Sequence, residues 1–250
     1  MNKLLAWVNS QSLAVKIALA LGVLLVVGLV ILGGMFALGT YFFYDSYGSS
    51  YEYEVNIYVD GATEDAVFLL PIGILDGEAH LGEIHITNSD RFDGIDYRIV
   101  EMDHGPMLRL EVDHIADGRD VLWVSARFES DRTIETREPR GSEPVLAPLE
   151  LIGPETDERF DADRWPDRRS YDAVSSAYIE HGGGDDIVIG LSVSYRGSNE
   201  WWSFGWSWNE YETVVVAGDA AHDPAGSWIE LTGWHTEGAG RYPSFPPAPS

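Results

Sequence analysis

Apolar and polar positions follow two different rhythms along this chain, and the change of rhythm comes near residue 45. From Ile17 to Tyr44 the chain runs 28 residues without one charged side chain. About 20 apolar residues in a helix suffice to cross a bilayer, so this stretch predicts a spanning helix with length to spare. Lys3 and Lys16 precede it, and Asp45, Glu52 and Glu54 follow. That asymmetry places the amino terminus in the cytoplasm and the following chain outside. Trp7 on one side, and Tyr41, Phe42, Phe43 and Tyr44 on the other, are set to anchor at the two interfaces, with Lys16, Tyr41 and Tyr44 as the principal anchor residues. A cleaved leader competes with this reading, because Ala37 and Gly39 make a small-x-small pattern before Thr40. The apolar run is far longer than the 7–15 residues usual for such a leader, which favours an uncleaved signal anchor.

Beyond residue 50 the dominant period is two, the signature of strands. In "YEYEVNIYV", Tyr51, Tyr53, Val55, Ile57 and Val59 share one face, opposite Glu52, Glu54 and Asn56. "AVFLLPIGIL" is a buried apolar run broken at Pro71 and Gly73. Leu108, Leu110 and Val112 alternate with Arg109, Glu111 and Asp113, and Leu122, Val124, Ala126 and Phe128 form a second alternating set. Ala116-Asp117-Gly118 between them predicts a hairpin with Val112 facing Leu122.

The richest aromatic stretch, "EWWSFGWSWNEY" at 200–211, follows a strand on which Ile187, Ile189, Leu191, Val193 and Tyr195 share one side. A two-residue turn at Gly197-Ser198 would pair Val193 with Trp202, Leu191 with Phe204, Ile189 with Trp206 and Ile187 with Trp208. This register makes those aromatics a core wall and leaves Trp201, of the other parity, as the exposed ring of a ligand surface. Residues 131–169 carry Pro139, Pro144, Pro148, Pro154 and Pro166, and read as an extended excursion wrapping the domain, with an edge strand near Val145–Ile152. The layout is thus a tail at 1–12, a spanning anchor at 13–44, an external β-domain at 45–240 and a Pro-rich tail at 241–250. The fold class expected is all-β, an antiparallel β-sandwich preceded by one transmembrane helix. One sandwich is favoured over two small β-domains, whose cores would be thin.

Charge sharpens the picture. From Asp45 onward there are 41 acidic residues against 14 basic ones, all arginine, for a formal charge of −27. Such a surface repels itself in dilute buffer, whereas at molar salt the Debye length falls to about 3 Å. Acidic excess with arginine in place of lysine resembles the proteins of extremely halophilic archaea. Together with the anchor, it resembles their membrane-anchored envelope proteins in composition and layout, a likeness that carries over no particular residue. Nucleic acid is a poor partner for a field of this sign.

Candidate chemistry is sparse. The chain has no cysteine, which excludes disulfides, thiolate catalysis and Cys-ligated metal. Glu78, His80, Glu83 and His85 lack the tight helical spacing of a zinc site, and Asp161, Asp163 and Asp167 lack the glycine and closing glutamate of a calcium loop. No nucleophile elbow, phosphate-binding loop or dinucleotide fingerprint occurs, and "HGGGDD" at 181–186 precedes a strand. No catalytic residue, metal or cofactor is therefore assigned, and the chain is not expected to be an enzyme. No asparagine begins a glycosylation sequon. Ala14, Ala18 and Gly22 have the small-xxx-small spacing through which the helix would self-associate. The expected partners are the lipid bilayer and proteins at the outer membrane surface. The leading reading is a structural or interaction module of an envelope or virion membrane. A sugar- or peptide-binding module is the alternative, ahead of a metal-dependent hydrolase and a pilin-like subunit.

Overall fold

The computed structural model describes residues 12–88, 90–155, 167–184, 187–202, 204–221 and 226–243. These form two compact units, one made of the helix together with Trp202–Trp206 and the other of the remaining chain from Tyr47. The helix, α1, covers Leu13–Ser46, 34 residues. It begins where the carbonyl of Ser12 accepts the Lys16 N–H at 3.1 Å, and it is closed by Ser46, whose hydroxyl donates to the Phe42 carbonyl at 2.6 Å. At 1.5 Å per residue it is about 50 Å long, and it is long and apolar enough to cross a membrane. Its apolar side chains from Leu13 to Leu38 are almost all exposed, and among described residues of α1 only Gly39 and Phe43 are buried.

The second unit is mostly β, and 61% of the described residues lie in strands. The strands are β1 (Gly48–Asp60), β2 (Thr63–Leu70), β3 (Ile72–Leu75), β4 (Glu78–Ala79), β5 (Ile84–Thr87), β6 (Phe92–Met102), β7 (Gly105–Ile115), β8 (Arg119–Glu129), β9 (Val145–Ala147), β10 (Glu150–Glu155), β11 (Arg169–Glu180), β12 (Val188–Trp202), β13 (Trp206–Ala221) and β14 (Ser227–Gly240). One curled antiparallel sheet of 11 strands runs β5-β8-β1-β12-β13-β14-β11-β2-β7-β6, with β10 also on β11; a small sheet runs β4-β3-β9. The all-β class with one amino-terminal helix holds. A single core cluster joins Tyr51–Val59 of β1, Phe68 and Leu70 of β2, Leu108–Val112 of β7, Leu122–Ala126 of β8 and Ile189–Tyr195 of β12.

Two predicted turns are corrected. The alternating sets of β7 and β8 do face a common core, but the strands do not pair: β7 lies between β2 and β6, and β8 between β5 and β1. Residues 116–118 therefore arch between opposite ends of the curled sheet. Alternation alone cannot separate an arch from a hairpin, since both leave the apolar faces toward one core. Nor does the chain turn at Gly197-Ser198. There β12 continues on β1, with Gly197 opposite Tyr51 and Ser198 opposite Ser50. Gly197 is required for a different reason: a Cβ there would stand 2.4 Å from the ring of Tyr211.

The Pro-rich excursion is buried in part rather than wrapped outside. Ile134, Thr136, Glu143 and Leu146 are buried. The Ile134 N–H donates to Asn199 Oδ1 at 2.9 Å, and Asn199 returns a bond to the Ile134 carbonyl at 2.9 Å. Glu143 accepts from the hydroxyl of Tyr51 at 2.5 Å and the Glu135 N–H at 2.9 Å, and pairs with Arg132 at 3.1 Å. Tyr211 donates to the Pro144 carbonyl, Tyr53 to that of Pro71 at 3.0 Å and Tyr195 to that of His80 at 3.3 Å. Burial holds all four of these phenols above their ordinary range, so they act as neutral donors pinning the strap and small sheet to the inner face. The predicted edge strand near 145–152 is two short strands, β9 and β10, in different sheets.

Candidate functional site

The most unusual surface lies where the tip connecting β12 and β13 meets the end of α1. The backbone N–H of Trp202 donates to Ser46 Oγ at 2.7 Å. The Trp202 ring stands edge-on to Phe42, with centroids 5.2 Å apart, and Phe204 follows 5.7 Å from Trp202. Phe204 covers Gly39, where a Cβ would come within 2.8 Å of its ring. Gly39, whose small size suggested a cleavage site, thus has a packing role in the helix. Phe204 holds φ at 55° and Gly205 at 151°, a left-handed turn that is uncommon for a bulky residue. Phe204 is 64% and Trp206 70% exposed. No charge occurs from Trp201 to Trp208, although the chain from Asp45 carries −27 overall.

Sequence parity placed these aromatics the wrong way round. Trp201, expected as the exposed ring of a ligand surface, is 3% exposed and stacks on Tyr47 at 6.1 Å. Trp206 and Trp208, expected in the core, are exposed, as is Phe204. The cause is the turn: with β12 running through Gly197, the buried odd-numbered set from Ile187 extends unbroken through Asn199 to Trp201. Of the anchor residues, Tyr41 and Tyr44 are exposed, whereas the neighbouring Phe43 is 1% exposed. Lys16 lies in the first turn of α1. Ala18 and Gly22 line a shallow apolar groove on α1 with Val15, Leu19 and Val26.

The buried polar clusters have chemistry but no access. Thr213 Oγ1 lies 2.8 Å from His235 Nδ1, and His235 Nε2 lies 3.4 Å from Glu237 Oε1. Arg140 donates to Glu237 at 2.8 Å, and Tyr171 donates to it at 3.3 Å. Burial pushes the Glu237 carboxyl up, but contact with His235 and Arg140 more than offsets this and leaves it below the usual range. All three side chains are fully buried, and His235 Nε2 has no hydrogen-bond partner among the described residues. With Thr213 fully buried, the contacts of the cluster cross-link β11, β13, β14 and the segment at Arg140. The sequence signal for it was slight, since Thr213, His235 and Glu237 match no motif.

His80, Glu83 and His85 do not converge: the His80 ring packs 4.8 Å from Phe128 and 5.2 Å from Tyr51, while Glu83 and His85 are exposed. Among the described residues no group of three His, Asp or Glu side chains is placed to hold a metal ion. Asp161 and Asp163 lie outside the described residues, and Asp167 pairs with Arg137 at 3.0 Å. On the outer face, Glu52 bridges Arg127 of β8 and Arg196 of β12, and Arg196 reaches Glu210 at 3.5 Å. A separate surface groove of about 480 Å³ is lined by His104, Leu149, Glu150, Trp228, Ile229 and Glu230 among others.

No protein-family model, no curated protein and no solved structure matches this chain.

Proposed function

We propose that this chain is a single-pass membrane protein of a halophile, with its amino terminus in the cytoplasm and its β-domain outside, acting as a structural or interaction module in an envelope or virion membrane. The supporting observation is the connection between anchor and domain. Only Tyr47 separates the end of α1 at Ser46 from the start of β1 at Gly48, and β1 is an interior strand of the large sheet. One residue spans at most about 3.6 Å, so the domain has no tether with which to search for distant ligands. This suits a part that docks to partners at the membrane surface. Arginine as the sole cation of the β-domain, paired in chains such as Arg127–Glu52–Arg196–Glu210, supports a surface built for high salt. The test is the mass of the native particle, extracted in mild detergent at molar salt, with its companions identified by mass spectrometry. A stoichiometric complex is expected; a lone protomer would refute the structural role.

The groove at Trp228 favours a second reading, a sugar- or peptide-binding module. An exposed indole flanked by Glu150, Glu230 and His104 offers a stacking face with polar groups around it. Saturable quenching of tryptophan emission by an oligosaccharide panel, lost in Trp228→Ala, would support it; no response would remove it.

A further inference from the structure

We infer that the tip at 202–206 is a second membrane contact, whose Phe204 and Trp206 side chains enter the interfacial layer of the bilayer beside α1. This rests on the membrane anchoring proposed above and adds to it a specific lipid-binding element. The depth follows from the helix itself. Ile17 begins the uncharged run directly after Lys16, and Gly39 lies 22 residues further on. At 1.5 Å per residue that is about 33 Å, close to the roughly 30 Å of the hydrocarbon core. Phe204 packs on Gly39, and Trp202 stands against Phe42, so the tip is held where the acyl chains give way to headgroups. Tyr41 and Tyr44 of α1 are exposed at the same level. Trp and Tyr are enriched in this layer, and Phe joins Trp on apolar faces that bury into the headgroup–acyl boundary.

Charge identifies lipid rather than a polar partner as the occupant. In a domain carrying −27 overall, an element that enters the interfacial layer must be locally uncharged, because salt does not offset the cost of taking a charge out of water. Residues 201–208 meet that condition, and at their centre Phe204 and Trp206 are among the most exposed large apolar side chains outside the helix. The left-handed turn at Phe204 and Gly205 turns the Phe204 ring onto α1 without burying it.

The absence of cysteine makes the test direct. Single Phe204→Cys and Trp206→Cys variants of the full chain, and Asp103→Cys in the β6–β7 turn as reference, are labelled with an environment-sensitive nitrobenzoxadiazole probe. They are reconstituted at molar salt into vesicles of phosphatidylcholine and phosphatidylglycerol, with or without shallow nitroxide-labelled phosphatidylcholine. The expected result is blue-shifted emission at 204 and 206, losing most of its intensity to the nitroxide lipid, and no such loss at 103. Flotation of the same vesicles after an alkaline wash separates the two claims. Protein that fails to float overturns the anchor and the tip together. Protein that floats with probes at 204 and 206 as water-exposed as at 103 leaves the anchor standing and overturns the tip. Probes shielded from water yet untouched by the nitroxide lipid mean that protein covers the tip, which also overturns it.

Discussion

Replacing Trp201 and Trp206 separately by alanine tests the register on which the site depends. Trp201 is 3% exposed, so its truncation removes nearly the whole side chain from contact. A buried tryptophan withdraws about 150–250 Å² from water, and at about 25 cal/mol per Å² this is worth roughly 4–6 kcal/mol. Measured losses for Trp→Ala in cores run at about 3–5 kcal/mol. Trp206 is 70% exposed, and its truncation should change stability by no more than about 0.5 kcal/mol. The assay is urea denaturation of the full chain in detergent at fixed molar KCl, followed by far-UV circular dichroism; guanidinium chloride is unsuitable because it is itself a salt. Trp201→Ala should lower the midpoint strongly with little change in slope, and Trp206→Ala should leave it in place. A larger effect at Trp206 than at Trp201 would refute this register and restore a turn at Gly197-Ser198.

Gly197→Ala should destabilise by about 1–3 kcal/mol, because the new Cβ meets a fully buried Tyr211 ring held by Pro144; an unchanged urea midpoint would contradict that close approach. Burial, chiefly, raises the Glu212 carboxyl above its ordinary range. A raised group binds its proton more tightly when folded, so its contribution is favourable at low pH and is lost as pH rises through the folded value. Glu212→Gln should therefore raise the thermal midpoint at about pH 7 and leave it unchanged below about pH 4, where the carboxyl is protonated in both states; no gain at neutral pH would contradict the burial argument. The β-domain should lose its circular dichroism signal on dialysis below about 0.5 M salt, given the screening argument; an unchanged spectrum in dilute buffer would refute the halophilic reading.

The sequence made the helix and the strands with apolar alternation legible because one kind of burial governs each. Tyr51 to Val59, Leu108 to Val112 and Ile187 to Tyr195 all face the core as their period indicates. What escaped were strands whose buried face is small or polar. In β11 the inward set between Tyr171 and Ile179 is Ala173, Ser175 and Ala177, and in β14 the buried residues include His235 and Glu237, so hydropathy does not report the buried face. Pairing between distant strands was invisible for a related reason: alternation reports which side is buried, not which neighbour supplies the hydrogen bonds. At the tip, Gly197 has the look of a turn residue, whereas it makes room for a ring 14 residues later in the chain. A single misplaced turn inverts every side chain after it, and here it exchanged Trp201 with Trp206.

The most direct test of the central claim is protease protection of the full chain in native right-side-out membrane vesicles at molar salt. An epitope at the amino terminus and antibodies to the β-domain report the two sides. The single-pass reading predicts that external protease removes the β-domain while an epitope-bearing fragment containing α1 survives until detergent is added. Loss of the epitope without detergent, or an epitope-bearing β-domain that stays intact, would contradict it.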